Sequence, residues 1–338
     1  MFNRTVPISF VHELLANKDY LFLFAKADNA TIDNRGQRLK SLLNPSKWCE
    51  IEYKCHRLNS EQKIIESFNV TFWDGKRRSF YSLRINDMLT FEEFLDKISN
   101  RLVVDFTLMN TRFLGSFFAI LNMVSWEEVY FCYTEPGAYI KSEDNNGFSF
   151  KNVTMGFEQI PNLETISDSS ENCDWIIFLG FEESRAMRLA EEASDSRRYT
   201  LPFISVPAMK PNWHNYAVTS NRQFFELKIK DRERIDYVSA TDPFDTYQKL
   251  TQLKNETVST RLSISPIGPK PVMLGCIMFV LENEDDMILF DNPFQESSNT
   301  IKFGESHFYD MTQFVKLIKN KRFQEEGMEH GFELCSGN

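Results

Sequence analysis

Arginine recurs in the motif Arg-small-x-Arg-Leu, which the chain contains twice, at residues 35–39 and 185–189. Each copy follows an apolar run and stands where a helical pattern begins. A helix start offers unpaired backbone N–H groups and the positive end of the helix dipole. Arginines added there suit a phosphate or a carboxylate. The sequence therefore predicts a site for an anionic small molecule, with these candidate ligand-binding residues: Arg35, Arg38, Gly180, Glu182 and Arg185.

Two further loops, each between a predicted strand and a predicted helix, combine hydroxyl groups with one basic residue. Their candidate ligand-binding residues are Thr107, Thr111 and Arg112 in the first loop and Ser265, Gly268 and Lys270 in the second. Prolines stiffen the second loop, and its glycine relieves steric limits. Such a loop can hold an anionic ligand, although the spacing G-x-x-x-x-G-K-[ST] of a P-loop is absent. The alternative is a stiff connector with a solvated lysine.

The residues that could catalyse a reaction are few, and the sequence names no reaction. Glu182 and Asp291 are the candidates for a general acid or base. The helix dipole explains Glu182 equally well, and a proline-containing turn explains Asp291, and Glu135 at the matching place in the first half, better than catalysis does. His214 and His307 lack metal-ligand spacing such as H-E-x-x-H, so we predict no metal site. The chain has no G-x-G-x-x-G fingerprint either, and we identify no cofactor.

Short apolar runs that alternate with helical patterns indicate which elements position these residues. Strands buried on both faces form continuous apolar runs, so the alternation predicts an α/β fold with doubly wound, mainly parallel sheets. Asp242-Pro243 is a helix start, because Asp caps free amides and Pro suits the first turn. Asp74-Gly75 between alternating β-formers predicts a β-hairpin over residues 68–85.

The two halves of the chain match at three points in the same order. The arginine motifs are offset by 150 residues, the Leu-Gly helices (residues 113–121 and 273–281) by 160, and the strand-ending prolines (Pro136 and Pro293) by 157. This predicts two tandem Rossmann-like halves, residues 1–146 with the hairpin inserted and residues 147–338. Ligands of open α/β sheets bind beyond the carboxyl ends of the strands. We therefore expect the loops of both halves to converge on one cleft.

Composition limits the classes of partner. The chain of 338 residues carries a net charge of −10, which makes nucleic acid an unlikely partner, and we interpret Lys76-Arg77-Arg78 as a solvated turn. The 6 cysteines include no C-x-x-C pair, and the N-terminus has no signal-peptide pattern, so we predict a cytoplasmic protein. The longest apolar run, residues 272–281, is far shorter than the roughly 20 residues that cross a membrane.

Residues 104–107 with Arg112, and residues 265–270 with Leu274-Gly275, each present a strand, a polar loop, a basic residue and a helix in that order. This arrangement resembles CARF-like and other Rossmann-type sensor proteins of prokaryotic defence systems. The resemblance covers the repeated cores and not the hairpin or the C-terminal tail. It implies a nucleotide-binding edge and a role in the antiviral defence of a bacterium.

Three functions remain open at this point. The first is a sensor or accessory protein that binds an anionic, nucleotide-like molecule between the two halves and acts with a protein partner or as a homodimer. The second is a nucleotide-processing hydrolase or transferase that uses the same cleft. The third is a structural subunit of a multiprotein defence complex.

Overall fold

The structure is a computed structural model. It describes residues 5–16, 18–26, 35–57, 64–84, 95, 99–139, 154–160, 163, 173–192, 197–229, 235–257, 261–293 and 300–321. The predicted boundary between residues 146 and 147 lies outside the described residues.

The first sheet has eight strands within the described residues, in the order β1-β14-β7-β6-β2-β3-β4-β5. Strands β2, β3, β6 and β7 run parallel, and antiparallel strands flank them on both sides. The strands are β1 (Thr5–Val6), β2 (Leu21–Ala25), β3 (Lys47–Arg57), β4 (Ile64–Trp73), β5 (Arg78–Arg84), β6 (Arg101–Asp105), β7 (Glu128–Tyr139) and β14 (Thr300–Asp310).

The second sheet has six strands within the described residues, in the order β11-β10-β9-β12-β13-β8. The strands from β11 to β13 in this order are parallel, and β8 is antiparallel to β13. The strands are β8 (Thr154–Gln159), β9 (Cys173–Phe178), β10 (Arg197–Ser205), β11 (Asp236–Val238), β12 (Arg261–Pro266) and β13 (Met287–Pro293).

Helices connect the parallel strands and cover the sheets. They are α1 (Ile8–Leu15), α2 (Arg35–Leu43), α3 (Thr111–Leu121), α4 (Glu183–Glu192), α5 (Trp213–Ser220), α6 (Arg222–Lys228), α7 (Pro243–Glu256), α8 (Lys270–Glu282) and α9 (312–321). Helix α7 begins as the sequence predicts, because the Asp242 carboxylate accepts a hydrogen bond from Phe244 N–H and proline occupies the first turn. The described residues include no helix long and apolar enough to cross a membrane.

The predicted α/β class is confirmed, and the first sheet differs in detail from the mainly parallel sheet that the sequence predicts. It is mixed, because the hairpin of β4 and β5 extends one side and β14 with β1 extends the other. An antiparallel strand can have one face exposed to solvent, and its apolar and polar residues then alternate. The buried parallel strands β2 and β6 have continuous apolar runs instead.

The two sheets share one apolar core and exchange strands. Strand β8 follows β7 in the chain but pairs with β13, whereas β14 follows β13 but pairs with β7. The buried helices α3 and α8 pack against each other in the middle of the molecule. Buried side chains of both sheets, such as Phe131 and Ile264, belong to the same cluster. This packing fixes how the loops at the carboxyl ends of the two sheets face each other.

Candidate functional site

In the second sheet, the order in which the chain adds strands reverses between β9 and β12. The chain runs from β9 to β10 and β11 on one side, and then returns to build β12 and β13 on the other. At such a switch point the connecting loops diverge, and a crevice opens beyond the carboxyl ends of the strands. The loops that meet here follow Phe178 and Pro266, where β9 and β12 end.

Two glycines let these loops touch. A Cβ atom on Gly180 would lie 2.6 Å from the carbonyl oxygen of Ile267, and a Cβ on Gly268 would lie 3.3 Å from the carbonyl oxygen of Leu179. Because backbone oxygens cannot move aside as side chains can, Gly180 has no room for a larger residue. The predicted glycines thus stand side by side and permit the close approach of the loops.

An open pocket with about 660 Å³ of empty space, including its mouth, lies over these glycines. The loops after β9, β10, β11 and β12 form its wall together with the end of β7. Its lining residues are Tyr139, Leu179, Gly180, Phe181, Glu182, Arg185, Ser205, Ala208, Met209, Trp213, His214, Ala217, Ala240, Ile267, Gly268 and Pro269. A lining that is mostly apolar with a few polar groups is typical of small-molecule sites.

Aromatic rings dominate one wall of the pocket. The ring centroids of Tyr139 and Trp213 are 5.1 Å apart with planes at 36°, and Phe181 is 5.6 Å from Trp213 in a nearly perpendicular orientation, at 89°. Phe181 also meets Tyr139 edge to face at 5.9 Å. Tyr139 comes from the first sheet, so both sheets contribute to this wall.

The polar wall is built around Arg185. Its guanidinium group donates to both carboxylate oxygens of Asp291, at 2.7 and 2.6 Å, and to Glu182 at 3.0 Å. Burial tends to lower the pKa of Arg185, but the hydrogen bonds and charges of Asp291 and Glu182 outweigh burial and raise this pKa above its ordinary value. The cluster therefore holds one permanent cation between two carboxylates, and both candidate catalytic residues are engaged by the same arginine.

Two other predicted residues of the second half lie away from the pocket lining. The buried hydroxyl of Ser265 accepts a hydrogen bond from the indole N–H of Trp175 at 2.9 Å. Lys270 extends to the first half and donates from Nζ to the carbonyl oxygen of Met109 at 2.5 Å. The loop after β12 therefore contacts the loop after β6.

In the first half, Arg35 and Thr107 meet at the backbone of Thr134. Arg35 is buried and donates to the Thr134 carbonyl oxygen at 3.2 Å, while the Thr107 hydroxyl accepts from Thr134 N–H at 2.9 Å. At the start of α3, Thr111 is buried and Arg112 is half-buried, and neither is among the described residues that line the pocket. Arg35 and Thr107 therefore contact the backbone of β7 at the carboxyl end of the first sheet.

Asp105, at the end of β6, is a buried carboxyl group beside this cluster. Burial raises its pKa to about 7, against hydrogen bonds from Thr107 and the positive charges of Arg35 and Lys270. One carboxyl oxygen accepts from Thr107 N–H at 3.0 Å, and the other has no hydrogen-bond partner among the described residues.

A polar corner around Gly304 joins the two sheets. Lys210, from the loop after β10, donates to Glu135 at 2.7 Å, and His307 contacts the other oxygen of the same carboxylate at 2.7 Å. Arg38 donates to the Gly304 carbonyl oxygen at 3.2 Å, and a Cβ on Gly304 would lie 3.1 Å from Lys210 Nζ. We call Arg38, Lys210, Glu135 and His307 the Gly304 corner.

The Glu135 carboxylate is held ionised within this corner. Burial tends to raise its pKa, but the hydrogen bonds and charges of His307 and Lys210 outweigh burial and lower it. The ligand atoms of Glu135, Glu305 and His307 lie within 4.8 Å of one another, a spacing that a metal ion could bridge. Lys210 and His307 already balance the Glu135 charge, so the described contacts satisfy the carboxylate without an ion.

Some residues of the pocket can be predicted from the sequence, and others cannot. Gly180, Glu182, Arg185 and Gly268 line one pocket, as their shared strand-end positions indicate. Other lining and corner residues were not selected: Tyr139, Trp213, His214 and Lys210. The available signal was their position after apolar runs, but an aromatic residue there is equally typical of a core.

No protein-family model matches this chain, and a search of curated proteins finds no significant match. The candidate site therefore stands on its geometry alone.

Proposed function

We propose that this protein is a sensor or accessory protein that binds a nucleotide-like small molecule in the pocket over Gly180 and Gly268. The observation that carries the proposal is the aromatic pocket at the switch point of the second sheet, with Lys210 next in the chain to Met209 of its lining. Arg38 meets Lys210 at Gly304. A planar ring and an anionic group are the two parts of a nucleotide. The pocket suits the first part and the Gly304 corner suits the second.

The aromatic wall supports recognition of a planar heterocycle. Tyr139, Phe181 and Trp213 present rings in different orientations, so a base has both ring faces and ring edges to contact. Stacking of one base on an aromatic side chain contributes about 1–3 kcal/mol. The carboxylate of Glu182 and the imidazole of His214 are polar groups of the same pocket that can orient the ring.

We assign the anionic part of the ligand to Lys210 and Arg38 rather than to Arg185. Arg185 is already paired with both Asp291 and Glu182, and a phosphate beside them would meet two carboxylates. Lys210 lies in the loop that also carries Met209 and Trp213 of the pocket wall, and it is 27% exposed. Glu135 retains His307 as a partner if Lys210 turns toward a phosphate.

We further propose that the two halves descend from a duplicated Rossmann-like unit with the hairpin inserted in the first copy. Two observations support this: four parallel strands follow the same order in each sheet, β3-β2-β6-β7 and β10-β9-β12-β13, and helices α3 and α8, which follow β6 and β12, are neighbours. Arg35 contacts Thr134 as Arg185 contacts Asp291, and these residues occupy corresponding positions of β7 and β13. The CARF-like resemblance and a role in defence belong to this proposal.

Binding is the better-supported function because the candidate catalytic carboxylates already serve another purpose. Glu182 and Asp291 accept hydrogen bonds from Arg185, so neither is arranged as an independent acid or base. Turnover of a bound nucleotide, abolished by Glu182→Gln, would support the hydrolase or transferase alternative instead.

A thermal-shift screen followed by calorimetry tests the proposal, with adenosine, AMP, ATP and cyclic oligonucleotides as probes. Binding is expected to weaken about 5- to 100-fold in Trp213→Ala and much less in Trp213→Phe, because one stacking contact is lost. Lys210→Ala is expected to weaken AMP binding but not adenosine binding. Tyr237→Ala, which removes an exposed ring of edge strand β11, is the control. If no probe binds, or if Trp213→Ala and Tyr237→Ala bind equally, the assignment is wrong.

A further inference from the structure

A second surface lies at one end of the first sheet. It is the face of β3, β4 and β5 that carries Trp48. In the strand register Trp48 is opposite Trp73, and Trp73 is opposite Arg78. Directly opposite residues share one face of a sheet, and Phe80 shares it because it lies two residues from Arg78. Phe80 is 75% exposed. We call Trp48, Trp73, Arg78 and Phe80 the hairpin face.

Basic side chains surround the aromatic rings at the turn end of the hairpin face. Lys40 Nζ lies 3.4 Å from the centre of the Trp48 ring, and the Arg78 guanidinium carbon lies 5.8 Å from it. Lys76 and Arg77 are exposed in the turn. The Asp74 carboxylate accepts from the N–H groups of both residues at 2.8 Å, which fixes the turn that presents them.

The carboxylates of the same face lie farther from the turn. Glu50 is opposite Thr71, in the row that also contains Phe80 on β5, and Glu52 is one row farther, with Lys26 at 3.5 Å. In the turn itself Asp74 lies 3.5 Å from Arg77 and offsets one of three cations, Lys76, Arg77 and Arg78. The turn end is therefore locally basic, although the whole chain has a net charge of −10.

We propose that the hairpin face binds single-stranded nucleic acid. Bases stack on exposed aromatic rings without regard to sequence, and neighbouring cations neutralise phosphates. Phe80 offers an uncovered ring, and Lys76, Arg77 and Arg78 offer charges of the required sign. A duplex keeps its bases stacked inside the helix, so the exposed ring favours a single strand. The face is separate from the small-molecule pocket and does not depend on the function proposed for that pocket.

Fluorescence anisotropy with labelled oligothymidine and oligouridine of about 12 nucleotides measures this binding at about 50 mM salt. Phe80→Ala is expected to weaken binding at least about 5-fold, since one stacking contact is lost. Arg77→Glu combined with Arg78→Glu is expected to reduce the slope of log K against log salt by about 1.4, as two phosphate contacts disappear. A duplex of the same length is expected to bind more weakly.

Matched variants distinguish a specific surface from a general effect. Phe10→Ala removes another exposed phenylalanine, on α1, and Lys316→Glu with Lys319→Glu makes the same charge change on α9. Circular dichroism verifies that each variant folds. Absence of binding at low salt overturns the proposal, as does equal loss in the control variants. Competition by polyglutamate with no effect of Phe80→Ala also overturns it, because the turn then binds any polyanion without stacking.

Discussion

Replacement of Asp105 by asparagine is expected to change how stability depends on pH. Asp105 is 1% exposed at the end of β6. Burial raises the pKa of its carboxyl group from 3.8 to about 7, with Thr107, Arg35 and Lys270 acting in the opposite direction. In the unfolded chain this carboxyl group is solvated and titrates near its ordinary value. The folded state therefore binds the Asp105 proton more tightly than the unfolded state.

The direction and size of the effect follow from this difference. Ionised Asp105 opposes folding, so its cost is absent below the unfolded pKa, grows as the pH rises, and is complete above the folded pKa. With about 1.4 kcal/mol for each unit of pKa difference, the cost is about 2 kcal/mol at about pH 5 and about 4 kcal/mol at about pH 8. Asparagine is neutral at both values and keeps an oxygen that can accept from Thr107 N–H. Any packing or hydrogen-bond effect of asparagine is the same at both values and cancels in the comparison.

Urea unfolding of the parent protein and of Asp105→Asn, each at about pH 5 and about pH 8, measures this difference. Relative to the parent, the variant is expected to be about 2–3 kcal/mol more stable at the higher pH than at the lower one, which is measured as a larger free energy of unfolding. Asp285→Asn, at an exposed position between α8 and β13, is the control for the same chemical change. Equal effects of Asp105→Asn at the two pH values would refute the reasoning, because Asp105 would then be ionised in the folded state at both.

Three other predictions concern the core of the site and the contact between helices. Arg185→Met leaves the buried Asp291 carboxylate without its donor, so the free energy of unfolding in urea should fall by about 3–5 kcal/mol. Adding Asp291→Met should restore part of this stability, and strictly additive losses would contradict the pairing. In Gly275→Ala, the new Cβ would lie 2.4 Å from the Pro243 carbonyl oxygen and push α8 from α7, at a cost of about 1–3 kcal/mol; an unchanged melting temperature would contradict this close contact. Because the pKa of Glu135 is lowered, its ionised form stabilises the fold above its unfolded pKa of 4.5, and this contribution is lost as the pH falls through the folded value. In Glu135→Gln the free energy of unfolding should therefore fall less steeply as the pH is lowered, and an unchanged slope would exclude this contribution.

Local patterns of the sequence predict much of the fold. The apolar runs that form β2, β6 and β9 are buried on both faces. Such strands are recognisable in the sequence because almost all of their residues are apolar. Asp242 and Pro243 marked the start of α7 because capping depends on neighbouring residues alone. The mixed order of the first sheet was not accessible in the same way, since β14 pairs with β7 across about half of the chain.

The candidate site divides along the same line. Residues directly after a parallel strand, such as Gly180 and Gly268, could be selected from the sequence because the strand ends determine which edge they occupy. Charge compensation could not be selected in this way. Arg185 has the sequence context of an anion ligand, yet its partner Asp291 is 106 residues away and reaches it only through the fold. Trp213 became a pocket residue through its neighbours Tyr139 and Phe181, which come from the end of β7 and from the loop after β9.

Local patterns of residues were enough to predict the α/β class, the positions of the strand-end loops and their content of glycine and basic residues, because backbone preferences and burial patterns act over a few residues. Tertiary structure alone decided which cations are balanced, which rings form a wall and which half supplies each edge strand. Those outcomes depend on distances between residues far apart in the chain, and a hydrogen bond or a buried ion pair exists only when packing brings both partners together.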